Sequence, residues 1–320
     1  MRLPDLAEIE AAAALVYRVF QATPQYRWDL LSQQLGAPCW VKHENHTPVG
    51  AFKIRGGLVY FDRLKREGRL PPEVISATRG NHGQSMAWAA RAHGVRCCIV
   101  VPLGNSVEKN AAMRALGAEL IEHGEDFQAS REHAINLAQQ RGAHMAPSFH
   151  PDLLCGVGSY WLEFLRALPD LDRVYVPIGL GSGVCAAVAT KLALKHRVKI
   201  VGVISDQART YAESLAAGKV VPAAVSTTLA DGMAVRVADA DALQIIAAHV
   251  DHLVEVSDAD IAQAMRDLFR ATHNVSEGAG AAAFAAACKE RDQLAGQSVG
   301  LVMTGGNVDS ALFAQILAGR

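Results

Sequence analysis

Short apolar runs rich in β-branched residues alternate along the chain with longer Ala-rich stretches of helical period. Runs of this kind are typical of strands that are buried on both faces. The predicted strands cover residues 39–42, 74–77, 97–101, 119–122, 174–177, 200–203 and 299–303. The predicted helices cover residues 54–67, 84–92, 106–115, 127–141, 183–194, 211–217, 258–271 and 279–294. This alternation predicts an α/β fold in which helices cover both faces of parallel sheets.

The chain length indicates more than one compact unit. At 320 residues the chain exceeds a usual single domain, which favours two units that share a cleft. The hydrophobic share of 50% and the charged share of 20% are typical of a globular protein with a large core. Because the chain ends shortly after the last predicted strand, we expect no appended regulatory domain.

The charge pattern argues against two classes of partner. The net charge is −1, and no basic run interleaves with aromatic residues, so we expect no nucleic-acid partner. No apolar run approaches the roughly 20 residues that span a bilayer, so we expect no membrane segment. The first residues carry acids at Asp5, Glu8 and Glu10 instead of the basic region of a secretory signal. We therefore expect a cytoplasmic location.

The cysteines and acids do not form an obvious metal site. Six cysteines are scattered without a CxxC pair, which argues against a disulfide framework and against a structural zinc ion. Asp231 could help to bind a divalent cation or could cap a helix, but a single carboxylate does not make a metal site. We expect no metal.

The segment 42–57, KHENHTPVGAFKIRGG, is the most informative part of the chain. A predicted strand leads into a turn marked by Pro48 and Gly50, and Lys53 lies where the next helix should begin. The positive end of the helix dipole and a partly dry pocket both lower the pKa of an amine and make it a better nucleophile. Taken alone, Lys53 also fits a solvated lysine that caps a turn.

Two glycine-containing loops follow predicted strands. Residues 78–82 read Thr-Arg-Gly-Asn-His and offer polar donors and main-chain N–H groups to an anion. Residues 179–183 read Gly-Leu-Gly-Ser-Gly and open a helix, as a phosphate-binding turn does. The second loop lacks both the GxGxxG spacing and a following Walker lysine. Each loop is also compatible with a simple polar turn.

A fourth polar segment, 304–307 with the sequence Thr-Gly-Gly-Asn, follows the last predicted strand. The hydroxyl of Thr304 could bond a ring nitrogen, and a Gly-Gly turn capped by Asn307 is the alternative. All four segments follow strands of parallel sheets, whose carboxyl ends form the ligand-binding edge of such folds. Their common placement predicts a single site.

Together these motifs resemble the fold type II pyridoxal-phosphate enzymes, in the branch of threonine/serine dehydratases and serine racemase. The likeness covers essentially the whole chain and is carried by Gly-Ala-Phe-Lys-Ile-Arg-Gly at 50–56, Gly-Asn-His at 80–82, the turn at 179–183 and Gly-Gly-Asn at 305–307. It implies a tryptophan-synthase-β-like architecture of two doubly wound parallel-sheet lobes. A small inserted domain would cover residues 47–149, and a large cofactor-binding domain would combine residues 1–46 and 150–320. The resemblance also implies a homodimer.

The resemblance implies a role for each matching residue. Lys53 would hold pyridoxal 5′-phosphate covalently and, once released, take the Cα proton of the substrate. The other cofactor contacts would come from Phe52 against the ring, Asn81 at the phenolic oxygen, Glu277 nearby, Thr304 at the ring nitrogen, and Gly179, Leu180, Gly181, Ser182 and Gly183 around the phosphate. The substrate would meet Thr78, Arg79, Gly80 and His82, with Thr78, Gly80 and His82 lining its carboxylate pocket.

The implied activity is β-elimination, in which a β-hydroxy amino acid such as L-threonine or L-serine gives a 2-keto acid and ammonia. Dehydration of 3-hydroxyaspartate or phenylserine is an alternative within the same chemistry. Racemisation of an amino acid is a second alternative. A third, of another class, is an amino-acid-binding module without catalysis.

Arg79 departs from the family pattern, in which this loop usually reads Ser-Ser-Gly-Asn-His or Ser-Ala-Gly-Asn-His. Related racemases use a serine at this position as the second base, and an arginine cannot be deprotonated there, which disfavours racemisation. Our hypothesis is that Arg79 binds a second carboxylate, such as that of 3-hydroxyaspartate. The alternative is a side chain that points to solvent or to a nearby acid.

Overall fold

The computed structural model describes residues 1–319. The strands are β1 (Gln25–Arg27), β2 (Cys39–His43), β3 (Glu73–Ala77), β4 (Arg96–Val101), β5 (Glu119–Glu122), β6 (His144–Met145), β7 (Arg173–Pro177), β8 (Lys199–Ser205), β9 (His252–Val256) and β10 (Val299–Met303). The helices are α1 (Leu6–Val16), α2 (Asp29–Leu35), α3 (Lys53–Arg66), α4 (Asn81–Ala92), α5 (Val107–Ala115), α6 (Phe127–Arg141), α7 (Pro151–Ala167), α8 (Ser182–Leu194), α9 (Thr210–Ala217), α10 (Ala240–His249), α11 (Asp258–Thr272), α12 (Gly278–Lys289) and α13 (Ser310–Leu317). Short 3-10 turns cover Glu44–His46, Asp231–Met233 and Arg291–Gln293.

The larger sheet has six strands in the order β1-β2-β10-β7-β8-β9. Only β1 runs antiparallel, along β2, and the other pairs are parallel. Every residue of β10 is buried, because helices cover both faces of the sheet. Leu301 packs in the cluster with α11 and α12, whereas Val302 packs in the cluster with α7 and α8. Neighbouring residues of a strand point to opposite faces, which explains the unbroken apolar sequence.

The smaller sheet has four parallel strands in the order β5-β4-β3-β6. Val74 packs with α3 and α4 on one face, and Ile75 packs with α6 on the other. All five residues of β3 are buried, so this central strand is also covered on both sides. The predicted α/β class with two parallel-sheet lobes is therefore confirmed.

Several elements differ from the sequence predictions. The apolar pattern did not predict the strands β1, β6 and β9 or the helices α2, α7, α10 and α13. Helix α4 begins at Asn81, three residues before the predicted start, and α12 ends at Lys289 before a short 3-10 turn. The missed α7 contains Gly156 and Gly158, which lower intrinsic helix propensity. A Cβ atom at Gly156 would lie 2.2 Å from the carbonyl oxygen of Arg55, so the glycine allows α7 to approach α3 closely.

Along residues 1–319, no helix combines the length and the apolar character needed to cross a membrane. Within the same residues, no three His, Cys, Asp or Glu side chains converge as metal ligands would.

Candidate active site

The four polar segments meet at one cleft between the two sheets. The cleft is lined by the ends of β3, β7 and β10, by the start of α3 and by the turn that precedes α12. All fourteen residues that the sequence predicts for the site line it: Phe52, Lys53, Thr78, Arg79, Gly80, Asn81, His82, Gly179, Leu180, Gly181, Ser182, Gly183, Glu277 and Thr304. The tertiary structure thus brings together segments that are up to about 250 residues apart in the sequence.

Lys53 is the first residue of α3, and its amine reaches across the cleft. Its Nζ donates a hydrogen bond to Ser182 Oγ at 2.6 Å and lies 4.8 Å from the centre of the Phe52 ring. Burial lowers the pKa of Lys53 to about 8, although the carboxylate of Glu277 opposes this by favouring the charged form. A substantial fraction of the amine is therefore neutral near physiological pH, as a nucleophile requires.

A buried ion network holds the first turn of α3. Arg55 is fully buried; its Nε donates to Glu44 Oε2 at 2.7 Å, and its Nη1 donates to Glu163 Oε1 at 2.7 Å. Just before the helix, the main-chain N–H of Phe52 donates to the carbonyl oxygen of Thr304 at 3.0 Å. Because buried charges need such partners, this network fixes the helix start and the direction of the neighbouring Lys53.

The turn 179–183 offers main-chain N–H groups at the start of α8. Gly181 has φ +107°, a left-handed conformation that favours glycine, and no side chain caps the N-terminus of the helix. A Cβ atom at Gly179 would lie 2.2 Å from the carbonyl oxygen of Gly232, so only glycine fits at that position. The free N–H groups and the positive end of the helix dipole make this turn an anion site.

The loop after β3 is ordered by its own hydrogen bonds. Thr78 Oγ1 accepts from the main-chain N–H of Gly80 at 2.9 Å. Asn81 Nδ2 donates to Glu277 Oε1 at 2.6 Å, and Asn81 Oδ1 accepts from Asn307 Nδ2 at 2.9 Å. The amide of Asn81 is therefore oriented, with its second N–H left for a ligand in the cleft.

His82 is buried in the cleft wall beside this loop. Burial, together with the nearby charge of Lys53, lowers the pKa of His82 to about 3, so the imidazole stays neutral. Its Nε2 is buried and has no hydrogen-bond partner within residues 1–319. Since a buried polar atom without a partner is costly, this nitrogen is available to a bound molecule.

Arg79 lies at the edge of the cleft and is partly buried. Its Nε is buried without a hydrogen-bond partner, and its guanidinium forms no ion pair in the part of the chain described. Arg79 also lines a neighbouring groove together with Asp126 and Arg236. The carboxylate of Asp126 pairs there with Arg236, at 3.1 Å, and not with Arg79. Arg79 therefore offers an uncompensated positive charge at the cleft.

Among the cleft residues that sequence reasoning did not assign to the site, Lys109 and Tyr160 carry polar groups deep in the cleft wall. Lys109 Nζ lies 2.7 Å from Asp231 Oδ2. Asp231 is the first residue of a 3-10 turn whose capping residue is Ala230, so the alternative that Asp231 caps a helix is wrong. Tyr160 packs edge-on against Phe52 and has a buried hydroxyl without a partner in residues 1–319. No local signal distinguishes Lys109 from a solvated helix lysine, and Tyr160 lies in the helix that the pattern did not predict.

The site combines three features: a nucleophilic amine, an anion-binding turn within 2.6 Å of that amine through Ser182, and the aromatic face of Phe52. An aldehyde that carries a phosphate and a flat ring, as pyridoxal 5′-phosphate does, satisfies all three. The unpartnered polar atoms of His82 and Tyr160 add hydrogen-bonding capacity for such a group. The residues present therefore fit this cofactor.

Comparisons with known proteins agree with this geometry. The chain is 38% identical over 281 residues to the L-threonine ammonia-lyase of Geobacter sulfurreducens, covering 87% of this chain and 69% of the relative. It is 33% identical over 312 residues to the L-threonine dehydratase biosynthetic IlvA of Salmonella typhimurium, covering 96% of this chain but only 60% of that protein. The structure of the processed form of threonine deaminase isoform 2 from Solanum lycopersicum matches with a TM-score of 0.88 and 29% identity, covering 99% of this chain and 95% of that one.

A family model also matches most of the chain. The model is described as "Pyridoxal-phosphate dependent enzyme", and it matches residues 16–305. The matched range includes every residue that lines the cleft. The chain therefore belongs to the family of pyridoxal-phosphate dependent enzymes.

Proposed function

We propose that this enzyme converts a β-hydroxy amino acid, such as L-threonine or L-serine, to a 2-keto acid and ammonia: β-elimination removes water, and one water molecule is taken up again when the released imine is hydrolysed. The observation that carries the proposal is the 2.6 Å contact between Lys53 Nζ and Ser182 Oγ, which places the amine beside the anion-binding turn. When bound, pyridoxal 5′-phosphate supplies the electron sink that makes the Cα proton of an amino acid removable. The protein supplies orientation, the base and the exclusion of water.

Lys53 has two tasks in this proposal. Its neutral amine would hold the cofactor covalently, and its Nζ, when not engaged in that bond, would take the Cα proton of the substrate. The pKa of about 8 suits both tasks, because the amine can bind and release a proton near neutral pH. Thr304, which lines the cleft, would present a neutral hydroxyl, instead of a carboxylate, to the ring nitrogen and so would not favour protonation of that nitrogen. A cofactor whose ring nitrogen is not protonated would withdraw electrons less strongly, which favours rapid elimination of the β-hydroxyl over a long-lived carbanion.

The start of α4 is the proposed substrate-carboxylate site. The main-chain N–H groups of Asn81 and His82 lie at the positive end of that helix, where an anion is favoured, and the hydroxyl of Thr78, which accepts from Gly80 and Gly83, can donate its own hydrogen. The neutral His82 lies next to them with an unused Nε2. Binding the α-carboxylate there would orient Cα toward Lys53, on the facing side of the cleft.

Lobe boundaries, assembly and location remain proposals. We assign residues 47–149 to a small domain and residues 1–46 with 150–320 to a large one, because all four strands of the smaller sheet lie within the first range. We also propose a homodimer, as the family resemblance implies. A cytoplasmic location is supported by the cysteines, all six of which are free thiols.

A substrate panel tests the proposed function. We expect the purified protein to carry a visible absorbance band that borohydride reduction removes, and to form a 2-keto acid from at least one of L-threonine, L-serine, 3-hydroxyaspartate and phenylserine. Keto acid is measured with a coupled dehydrogenase, and chiral chromatography follows each substrate for racemisation. A colourless protein, or racemisation without keto acid, would contradict the proposal.

Arg79 favours a second carboxylate on the substrate. Its guanidinium has no acidic partner among residues 1–319, so a substrate such as 3-hydroxyaspartate would gain a charge-assisted hydrogen bond that threonine lacks. We expect Arg79→Ala to lower kcat/KM for 3-hydroxyaspartate about 10- to 100-fold more than for threonine, since such bonds contribute about 1.5–3 kcal/mol. Steady-state kinetics on both substrates measures the ratio.

The matched control for this prediction is Arg236→Ala. Arg236 lines the neighbouring groove with Arg79, but its charge is already paired with Asp126. Arg236→Ala should leave the ratio of kcat/KM for 3-hydroxyaspartate to kcat/KM for threonine unchanged. Equal losses on both substrates in Arg79→Ala would remove the second-carboxylate hypothesis.

A further inference from the structure

Lys109 is a buried cation whose role the proposed reaction does not yet explain. It lies on α5, is 5% exposed, and has its Nζ 2.7 Å from Asp231 Oδ2 and 3.1 Å from Glu277 Oε2. Both acids belong to segments that pack on the larger sheet, whereas α5 packs on the smaller one. Burying an ammonium group is costly unless acids compensate it, so the position of Lys109 is tied to those two carboxylates.

The fold makes room for the stem of this lysine at Gly80. Gly80 has φ +148°, and a Cβ atom there would lie 2.4 Å from Lys109 Cδ. The loop that carries Asn81 is thus in direct contact with the lysine stem. A change at Lys109 therefore acts next to the cofactor-binding loop and not only at a distance.

A line of short contacts runs from Lys109 into the site. Glu277 is 3% exposed and approaches Lys109 with one oxygen, while its other oxygen accepts from Asn81 Nδ2 at 2.6 Å. Asn307 completes the line by donating to Asn81 Oδ1 at 2.9 Å. A carboxylate accepts hydrogen bonds only, so an ionised Glu277 holds the amide group of Asn81 in one of its two orientations.

A protonated Glu277 would lose this selectivity, because a carboxylic acid can donate as well as accept. Three charged groups face Glu277: Lys109 from α5, Asp231 from the 3-10 turn, and Lys53 from α3. Burial raises the pKa of Glu277, and Asp231 raises it further, whereas Lys109 lowers it. Lys109 is the cation in direct contact with the carboxylate and therefore the main group that keeps it charged.

We propose that Lys109 is a positioning residue, which keeps Glu277 ionised and thereby presents the N–H of Asn81 to the cofactor ring. The inference rests on the proposed function and on the role that the family resemblance implies for Asn81, at the phenolic oxygen of the cofactor. Lys109 does not touch the reacting atoms. Its effect passes through Glu277 and Asn81 and depends on pH.

The test compares Lys109→Met, Lys109→Met combined with Glu277→Gln, and Glu108→Ala. Met keeps most of the stem but removes the charge, so the acidic limb of the kcat profile should move up by about 1–3 pH units. In the double variant a neutral amide replaces the carboxylate, so that shift should disappear, even though the maximal rate is lower. Glu108 is the matched control, because it lies on the same helix and contacts Ser310 across the lobes without touching Glu277. Its profile should overlay that of the unchanged enzyme.

A second readout does not depend on turnover. In the cofactor-free protein, Lys109→Met leaves Glu277 buried without its cation, so the folded-state pKa rises further above the unfolded value. The native state then holds an extra proton, and stability falls as pH rises above about 4.5 toward that raised pKa. The thermal midpoint of Lys109→Met should thus fall increasingly below that of the unchanged chain over this window. The thermal midpoint of the double variant should not show this pH-dependent decrease.

The outcomes separate the two proposals. If Lys109→Met lowers kcat by the same factor at every pH, or if Glu108→Ala shifts the acidic limb as much, the positioning role is overturned. If the unchanged enzyme forms no keto acid, the proposed function fails, and the thermal midpoints alone decide whether Lys109 controls the charge of Glu277. A pH-independent difference between the thermal midpoints of the single and double variants would overturn that control as well.

Discussion

Replacing Lys53 by methionine is expected to lower keto-acid formation by at least about 10³-fold, because both the covalent anchor and the base are removed. The side chain of methionine fills much of the same space, so the cleft should keep its shape. The variant should also lack the visible band that borohydride removes from the unchanged enzyme. Stopped assays at high enzyme concentration and an absorbance spectrum after desalting measure the two effects.

Lys65→Met is the matched control for this prediction, because Lys65 lies on the exposed side of the same helix, α3. It should retain the band and the activity. In the unchanged cofactor-free protein, the rate of cofactor uptake should rise with pH and level off above about 8, where the buried amine has lost its proton. A Lys53→Met protein that stays coloured and active would refute the assignment.

Replacing Gly179 by alanine is expected to weaken cofactor binding at least about 100-fold. The added Cβ would lie 2.2 Å from the carbonyl oxygen of Gly232, and backbone cannot move aside as the end of a side chain can. The turn must therefore shift, which misaligns the N–H groups that would bind the phosphate. Titration of the cofactor-free protein with pyridoxal 5′-phosphate, followed by fluorescence, gives the Kd.

Gly183→Ala provides the comparison within the same turn. A Cβ atom there would meet only ordinary contacts, with Phe52, Tyr160 and Val176 at 3.9 Å. It should weaken binding less than Gly179→Ala does. If Gly183→Ala weakened cofactor binding more than Gly179→Ala, the close packing of Gly179 against Gly232 would not be what determines the affinity of the turn for the cofactor.

The four site segments could be recognised from the sequence because each is local. The turn at 179–183 and the loop at 78–82 directly follow strands, and their glycines and polar residues mark them within a few positions. The strand pattern then predicts that they meet, since carboxyl ends of parallel strands share an edge. The cleft contains all of these residues. Their roles toward cofactor and substrate stay predictions until the variants are measured.

Other parts of the site depend on packing between distant segments. The contact between Lys109 and Glu277 joins residues 168 positions apart, and the sequence around Lys109 reads as an ordinary polar helix. Helix α7 was missed for a related reason: Gly156 lowers its intrinsic propensity, but the helix is stabilised by close packing against α3. Tertiary contacts of this kind leave no periodic signal in either segment.

Local chemistry along the chain was sufficient to indicate the fold class and to predict a reactive lysine and a phosphate-binding turn, because each depends on neighbouring residues or on the repeat of strands and helices. Only the folded chain determines which charged side chains have an opposite charge nearby. Arg55 and Lys109 are fully or almost fully buried among acids, whereas Arg79 is left without one in residues 1–319. The cost of burying a charge depends on partners within about 4 Å, and these come from other elements of the fold.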